Sequence, residues 1–396
     1  MTQRRTQQSG RGFVPTQRNA TGSGYAQRNG YPQRNEYVPP RRTKPDRMEW
    51  LKRQLRKRPL PAWIVVVADI LVFAVALNVF ALFHHVIPRN VEAVGISSSR
   101  ESMATQPNPT AQALPESSVA PASTEAPTVT EAPAPTEPAD PVGYFGTKFA
   151  DKFTSGEVIE NGWSYQSANL NLNVAPMEVY GTNVFVSNIF VRDISSFATA
   201  FAKDRYGRNF SEDVQDIAAR ANAIVSINGD YYGNSDDGAI IRNGTLYRED
   251  SYVDCDMCVL YWDGTMKTFP QGQFDARAEI EAGAYQSWAF GPMLLDSNGQ
   301  SMTSFNTAVS PANPRTAIGY FEPGHYCFVV VDGRSEKSEG LTMQQLSEFM
   351  ASIGCRAAYN LDGGRTSQMY WRTGLVNSPV GGGRDCSDIV LIREPA

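Results

Sequence analysis

Three histidines in 396 residues, two of them adjacent at His84 and His85, leave little imidazole for chemistry. A serine–histidine–aspartate mechanism would have to use His325, and no Gly-x-Ser-x-Gly elbow accompanies it, which argues against a serine hydrolase. No Gly-x-x-x-x-Gly-Lys-Ser/Thr loop is present, so the familiar nucleotide-phosphate cradle is missing too. Cysteine is scarce: Cys255, Cys258, Cys327, Cys355 and Cys386 make an odd five. Such a set is no disulfide framework, and the fold must rest on burial. Cys255 and Cys258 have the spacing of a zinc knuckle, but a second matching pair is lacking, and a disulfide or two free thiols fits better.

Charge of one sign is also missing from long stretches. The first 61 residues hold 15 Lys+Arg against only Glu36, Asp46 and Glu49, a net of +12, which leaves −17 on the remainder of a chain of net −5. A membrane between a basic head and an acidic body accounts for that split. Residues 62–83 supply it: 22 residues, apolar apart from Asp69 and Asn78, long enough for a hydrocarbon core of roughly 30 Å. Lys52, Arg53, Arg56, Lys57 and Arg58 crowd the N-terminal flank, whereas Arg89 is the one cation close behind. The positive-inside rule then puts the N-terminus in the cytoplasm and the rest outside, at the cell membrane. More than fifty polar residues precede the run and no cleavage motif is evident, so it reads as an uncleaved single-pass anchor.

Composition divides the rest. Residues 1–61 carry Gln-Arg-Asn at 17–19, 27–29 and 33–35 with no apolar periodicity, and read as a disordered basic cytoplasmic tail. Residues 84–141 are rich in Pro, Thr, Ala and Glu, with Thr-Glu-Ala-Pro at 124–127 and 130–133, and read as an extracytoplasmic stalk. Residues 142–396 are globular in texture. β-rich runs at 184–191, 223–227 and 258–262 alternate with turn signals such as Asn243-Gly244 and Asp263-Gly264. Val214, Ile217, Ala218 and Ala221 mark one amphipathic helix. Thr342 and Gln345 cap a second, with Leu346, Phe349, Met350 and Ile353 as its buried stripe and Gly354 as its stop. The expected fold is mixed α/β, with mixed β-sheets flanked by helices.

The second helix lies between two apolar runs, 325–331 and 357–361, so the pattern predicts a parallel strand–helix–strand unit. Asp332 would leave one strand and Asp362 the other at the same edge, where open sheets bind ligands. The first helix leads similarly into 223–227 and then Asn228-Gly229-Asp230. One Asp–Gly pair is a common turn; three at predicted strand exits suggest a site. Acids can move protons, glycines let amides approach an anion, and Asn228 and Asn360 add neutral hydrogen bonds. Arg315, in Asn313-Pro314-Arg315-Thr316, and Arg334, after Asp332, suit phosphate oxygens unless they pair with the nearby aspartates. Arg365 and Arg384 are further candidates.

Together these segments resemble a family. Ser226-Ile227-Asn228-Gly229-Asp230-Tyr231-Tyr232, Phe290-Gly291-Pro292-Met293-Leu294-Leu295, Pro314-Arg315-Thr316-Ala317-Ile318-Gly319, Val331-Asp332-Gly333-Arg334 and Asn360-Leu361-Asp362-Gly363-Gly364 stand in the order found in phosphodiester glycosidase domains. The resemblance covers roughly residues 170–394. It implies hydrolysis of a sugar-1-phosphate diester at the glycosidic C–O bond. Asp230, Asp332 and Asp362 would then be catalytic, and Asn228, Arg315, Thr316, Arg334, Asn360, Gly363 and Gly364 would bind substrate and phosphate. Where the family continues with a third glycine and a serine, this chain has Arg365, Thr366 and Ser367. Arg365 would add phosphate affinity or narrow the pocket.

The leading expectation is thus an extracytoplasmic hydrolase acting on a phosphorylated envelope glycan or exopolysaccharide. It requires no cofactor, although three aspartates leave room for a divalent cation, and no nucleic acid is expected on the folded domain. The rival is a non-catalytic binding module for phosphate-linked glycans, favoured by Arg365. A third reading makes the domain an accessory of a membrane complex, contacted through Asp69 and the basic tail.

Overall fold

Alternation of apolar and polar residues through 170–191 produces a long hairpin of strands Leu170–Val179 and Thr182–Val191, turned at Tyr180 and Gly181. Leu170, Leu172 and Val174 point into the core along its first strand. This is a computed structural model, and it describes residues 61–101, 140–250 and 254–395, together with Met48 and Lys52. The Gln-Arg-Asn repeats and both Thr-Glu-Ala-Pro repeats lie outside the described residues.

The hairpin belongs to a seven-stranded sheet. Its order is Ala357–Asn360, Arg315–Glu322, His325–Val331, Thr182–Val191, Leu170–Val179, Ser164–Gln166 and Ile159–Asn161. A five-stranded sheet, ordered Gly374–Leu375, Met369–Trp371, Val225–Asn228, Asp388–Ile392 and Phe197–Phe201, shares the main core with it. Phe328 and Val330 face that shared core, while Cys327, Val329 and Val331 face a second cluster beneath helix Met343–Ser352. Covering on both faces explains why 325–331 is continuously apolar rather than alternating.

Thr342 and Gln345 make the expected reciprocal cap of helix Met343–Ser352, and Gly354 takes a left-handed φ of 89° just past its end. The shorter helix Val214–Arg220 starts at Asp213, whose side chain accepts the Gln215 amide. A third, Ala276–Glu281, capped by Asp275, carries no long apolar stripe and escapes sequence reading.

The parallel strand–helix–strand unit does not form. Arg315–Glu322 is joined to His325–Val331 by a two-residue turn at Pro323-Gly324 and occupies the neighbouring position first. Ala357–Asn360 therefore pairs antiparallel with Arg315–Glu322. A local hairpin closes at lower entropic cost than a helical crossover. Strands 325–331 and 357–360 still run in the same direction, each opposed to the strand between them. Arg315 at the start of the middle strand, and Asp332 and Asp362 just beyond its neighbours, consequently share one end of the sheet.

Smaller sheets border this end. One places Ile240–Arg242, Thr245–Arg248 and Ile96–Ser97 side by side, and another sets Met257–Tyr261 between Met266–Phe269 and Ala284–Trp288. Ile96–Ser97 comes from the segment read as stalk. It pairs with Thr245–Leu246, the adjoining Ser98 is buried against Gly244 and Trp262, and Arg100 meets Asp193. Helix Ala62–Ala81 continues in a wider turn to Val86; among the described residues it is the one helix long and apolar enough to cross a membrane, as an anchor or a signal sequence would be. Asn78 satisfies its own amide on the Ala74 carbonyl, 2.8 Å away.

Candidate active site

The common sheet end opens into a cavity of about 380 Å³. Its walls include Asp254, Cys255, Phe290, Arg315, Arg334, Asn360, Asp362, Gly363 and Gly364. Arg315, Arg334, Asn360, Asp362 and both glycines are thus brought together as the sequence suggests.

Arg315 is only 3% exposed, yet no carboxylate pairs with it among the described residues. Its Nε donates to the Leu341 carbonyl at 3.0 Å and an Nη to that of Pro311 at 2.5 Å. Burial, with the charge of Arg334 added, lowers it to about 10, so it remains cationic at neutral pH. Arg334 donates twice to Asn313 Oδ1 and likewise has no acidic partner among the described residues. Two neighbouring guanidiniums, one of them buried, are unfavourable alone and become favourable when an anion enters.

Asp362 has a different setting. Its Oδ2 accepts an Arg384 Nη at 2.7 Å, and the same nitrogen contacts Thr366 Oγ1. Burial pushes the carboxyl above the usual aspartate range, while Arg384 and Thr366 oppose that shift. Asn360 donates to the Gly291 carbonyl at 2.7 Å, but its Oδ1 is buried with no hydrogen-bond partner. An orphaned acceptor in a cavity wall is suited to a ligand hydroxyl.

The glycine turn is a packing requirement. A Cβ on Gly363 would lie 2.9 Å from the Pro314 carbonyl oxygen, and Gly364, at φ 69°, donates its amide to that oxygen at 3.0 Å. This clamp sets Asp362 beside Arg315, and it occupies the Gly364 amide expected to meet phosphate.

Other candidates hold the walls from behind. Asn228 is fully buried: its Oδ1 accepts Thr316 Oγ1 at 2.8 Å and its Nδ2 donates to the Asp362 carbonyl at 2.8 Å. Thr316 is equally buried. Asp230 receives Arg242 at 2.8 Å and the Ala289 amide at 2.9 Å, and borders an adjacent cavity that shares Asp254, Cys255 and Phe290 with the first. Arg242 also binds Asp388 at 2.9 Å, so one buried cation holds two buried carboxylates. Asp332 accepts Asn377 Nδ2 at 2.9 Å and the Ser378 amide at 3.1 Å. Arg365 is exposed and donates to the Gly383 carbonyl at 3.1 Å, away from the cavity.

Sequence reasoning misses Arg242 and Asp254. Arg242 had one signal, a cation ending the apolar run Ile240-Ile241 immediately before the Asn243-Gly244 turn. Cys255 lines the cavity as an unreactive thiol, since burial and surrounding aspartates push it up to about 12. Among the described residues, no three His, Cys, Asp or Glu side chains gather as a metal site.

Comparison with known proteins bears on the same residues. Residues 221–393 match the family model for phosphodiester glycosidases. The SPbeta prophage-derived uncharacterized protein YomE of Bacillus subtilis (strain 168) is 33% identical over 170 residues, 41% of this chain and 26% of that protein. N-acetylglucosamine-1-phosphodiester alpha-N-acetylglucosaminidase of Bos taurus is 29% identical over 104 residues, 24% of this chain and 20% of its own length. The chain therefore spans about a quarter or less of these curated relatives. Among solved structures, the zebrafish N-acetylglucosamine-1-phosphodiester alpha-N-acetylglucosaminidase catalytic domain, auto-inhibited by its pro-peptide, aligns with a TM-score of 0.47 at 20% identity, covering 62% of this chain and 86% of that one. A hypothetical protein from Synechocystis aligns with a TM-score of 0.45 at 11% identity, covering 61% and 64%. Residues 221–393 thus carry the match to the phosphodiester glycosidase family, and similarity to that family is what the chain shows.

Proposed function

We propose that the cavity hydrolyses a sugar-1-phosphodiester, cleaving the bond between the anomeric carbon and the phosphate oxygen. The observation that carries this reading is the couple Arg315 and Arg334, without acidic partners among the described residues, facing the same space as a carboxylate, Asp362. The guanidiniums take the diester and offset charge on the departing phosphate. A phosphodiester is a good leaving group, so little acid assistance is needed. Asp362, paired with Arg384, acts on the sugar side as base or nucleophile. Asn360 Oδ1 accepts a sugar hydroxyl, and the buried Asp230 and Asp332 hold the walls.

In this reading residues 62–83 anchor the chain in the cell membrane, N-terminus inside, and the domain meets an envelope glycan or exopolysaccharide outside. No cofactor is required, and activity should survive chelation of divalent cations. The binding-module alternative draws on Arg365, whose side chain turns toward the Gly383 carbonyl, and we therefore favour the hydrolase.

The test is release of free sugar from a panel of UDP-sugars and other sugar-1-phosphate diesters by the full chain in lipid nanodiscs. Asp362→Asn should lose roughly 10²–10⁴-fold in turnover while still binding substrate. Measurable glycan binding without release by the wild type would transfer the assignment to a binding module.

A further inference from the structure

We infer that Cys327 and Cys355 form a disulfide when the domain folds in an oxidising compartment. Cys327 lies on strand His325–Val331, and Cys355 lies in the short connection between helix Met343–Ser352 and strand Ala357–Asn360. Their sulfurs are 3.7 Å apart, in contact, and both residues are buried.

Topology alone would keep them apart. The two strands are separated by Arg315–Glu322, and strands two places apart in a sheet lie roughly 10 Å from each other. Contact is made over Gly319, which stands in register with Cys327 on one side and Ala358 on the other. A Cβ on Gly319 would sit 2.5 Å from Cys327 Sγ and 2.7 Å from Cys355 Sγ. Any other residue there would drive the thiols apart. The missing side chain is the space in which they meet.

A buried cysteine is often a small apolar residue and nothing more. Contact distinguishes this couple: among the described residues no sulfur–sulfur contact joins Cys255, Cys258 or Cys386 to another cysteine. Closing the bond needs a modest side-chain movement. Each thiol loses its hydrogen, the S–S bond forms, and two protons and two electrons pass to a disulfide-type oxidant such as oxidised glutathione, which is reduced to two thiols. Burial keeps reagents from the finished fold, so the bond forms as the chain folds and afterwards resists reductant. It would tie the strand that ends at Asp332 to the connection that leads to Asp362.

The experiment is cell-free synthesis of the full chain into lipid nanodiscs, in an oxidising glutathione buffer with a disulfide isomerase, and in parallel under a thiol reductant. Each product is denatured in a light alkylating reagent, then reduced, labelled with a heavy one and digested with trypsin. In the oxidised sample the heavy label should fall on Cys327 and Cys355 alone, and a light-alkylated portion digested without reduction should yield the peptide spanning 316–334 joined to that spanning 338–356. The reductant-grown protein should melt roughly 5–10 °C lower, and Cys327→Ala/Cys355→Ala should melt alike in both buffers. Light label on both cysteines after oxidative synthesis would overturn the inference, as would linkage of either to Cys255, Cys258 or Cys386.

Discussion

Asp362 accepts a hydrogen bond from Arg384 at 2.7 Å, whereas Arg315, in the same cavity wall, pairs with no carboxylate among the described residues. One charge couple is closed within the protein, and the other is open toward a ligand. In the proposed reading the open one binds and the closed one tunes.

Arg384 opposes the upward push that burial exerts on Asp362. Removing that cation in Arg384→Gln should raise the carboxyl further. If the ionised form is the active one, activity falls as pH drops through this titration, and the acid limb of kcat/KM should move to higher pH. Arg384→Lys should restore much of the wild-type profile. An unmoved limb in Arg384→Gln would remove Asp362 from that role.

Arg315→Ala should lower kcat/KM by about 10²–10³-fold, the usual cost of losing a charge-stabilising donor. Its melting temperature should stay level or rise, because an uncompensated buried cation is released. Arg315→Lys keeps the charge without the fork and should recover only part of the loss. A collapse in stability instead would mark Arg315 as a strut for residues 310, 311 and 341, whose carbonyls it holds.

Arg242→Leu leaves Asp230 and Asp388 buried without their shared partner and should cost about 3–5 kcal/mol in chemical denaturation. Burial, against Arg242 and helped by Asp230, already pushes Asp388 up to about 6 from 3.8. Its folded form therefore holds a proton more readily than the unfolded chain, and its ionisation costs stability as pH rises across that window. The variant should thus regain stability on acidification toward pH 4, relative to wild type. Equal stability at all pH values would show that the triad is dispensable.

A soluble fragment beginning at residue 142 lacks Ile96–Ser97, the buried Ser98 and Arg100, leaving Thr245–Leu246 as an open edge and Asp193 without its cation. It should melt roughly 5 °C below a fragment beginning at residue 87. Hydrogen exchange should be faster at Thr245–Arg248 in the shorter one. Identical melting and exchange would return residues 96–100 to the stalk.

Much of the candidate site was legible because it is local. Asn360-Leu361-Asp362-Gly363-Gly364 and Asn313-Pro314-Arg315 announce their turn chemistry in consecutive residues, and the Thr342–Gln345 cap is a three-residue spacing. The parallel unit was misread because periodicity tells helix from strand and says nothing about which strand arrives first at a sheet edge. Arg365 is placed by a related effect. Its neighbours in sequence line the cavity, but the tight turn at 364–366 swings its side chain to Gly383.

By itself the sequence determined the apolar 62–83 segment, the mixed α/β character of the domain, and the family motifs with their candidate acids and arginines. These follow from composition, period and short-range turn chemistry, which act within a few residues of chain. Only the tertiary structure decided that Asp362 faces the cavity while Asp230 and Asp332 are held by Arg242 and by Asn377 and Ser378. It alone decided that Arg315 is left without an acid among the described residues and that Cys327 meets Cys355 across Gly319. Those outcomes depend on which groups the packed sheets bring into contact over tens of residues, where hydrogen bonding and desolvation assign each charge its partner.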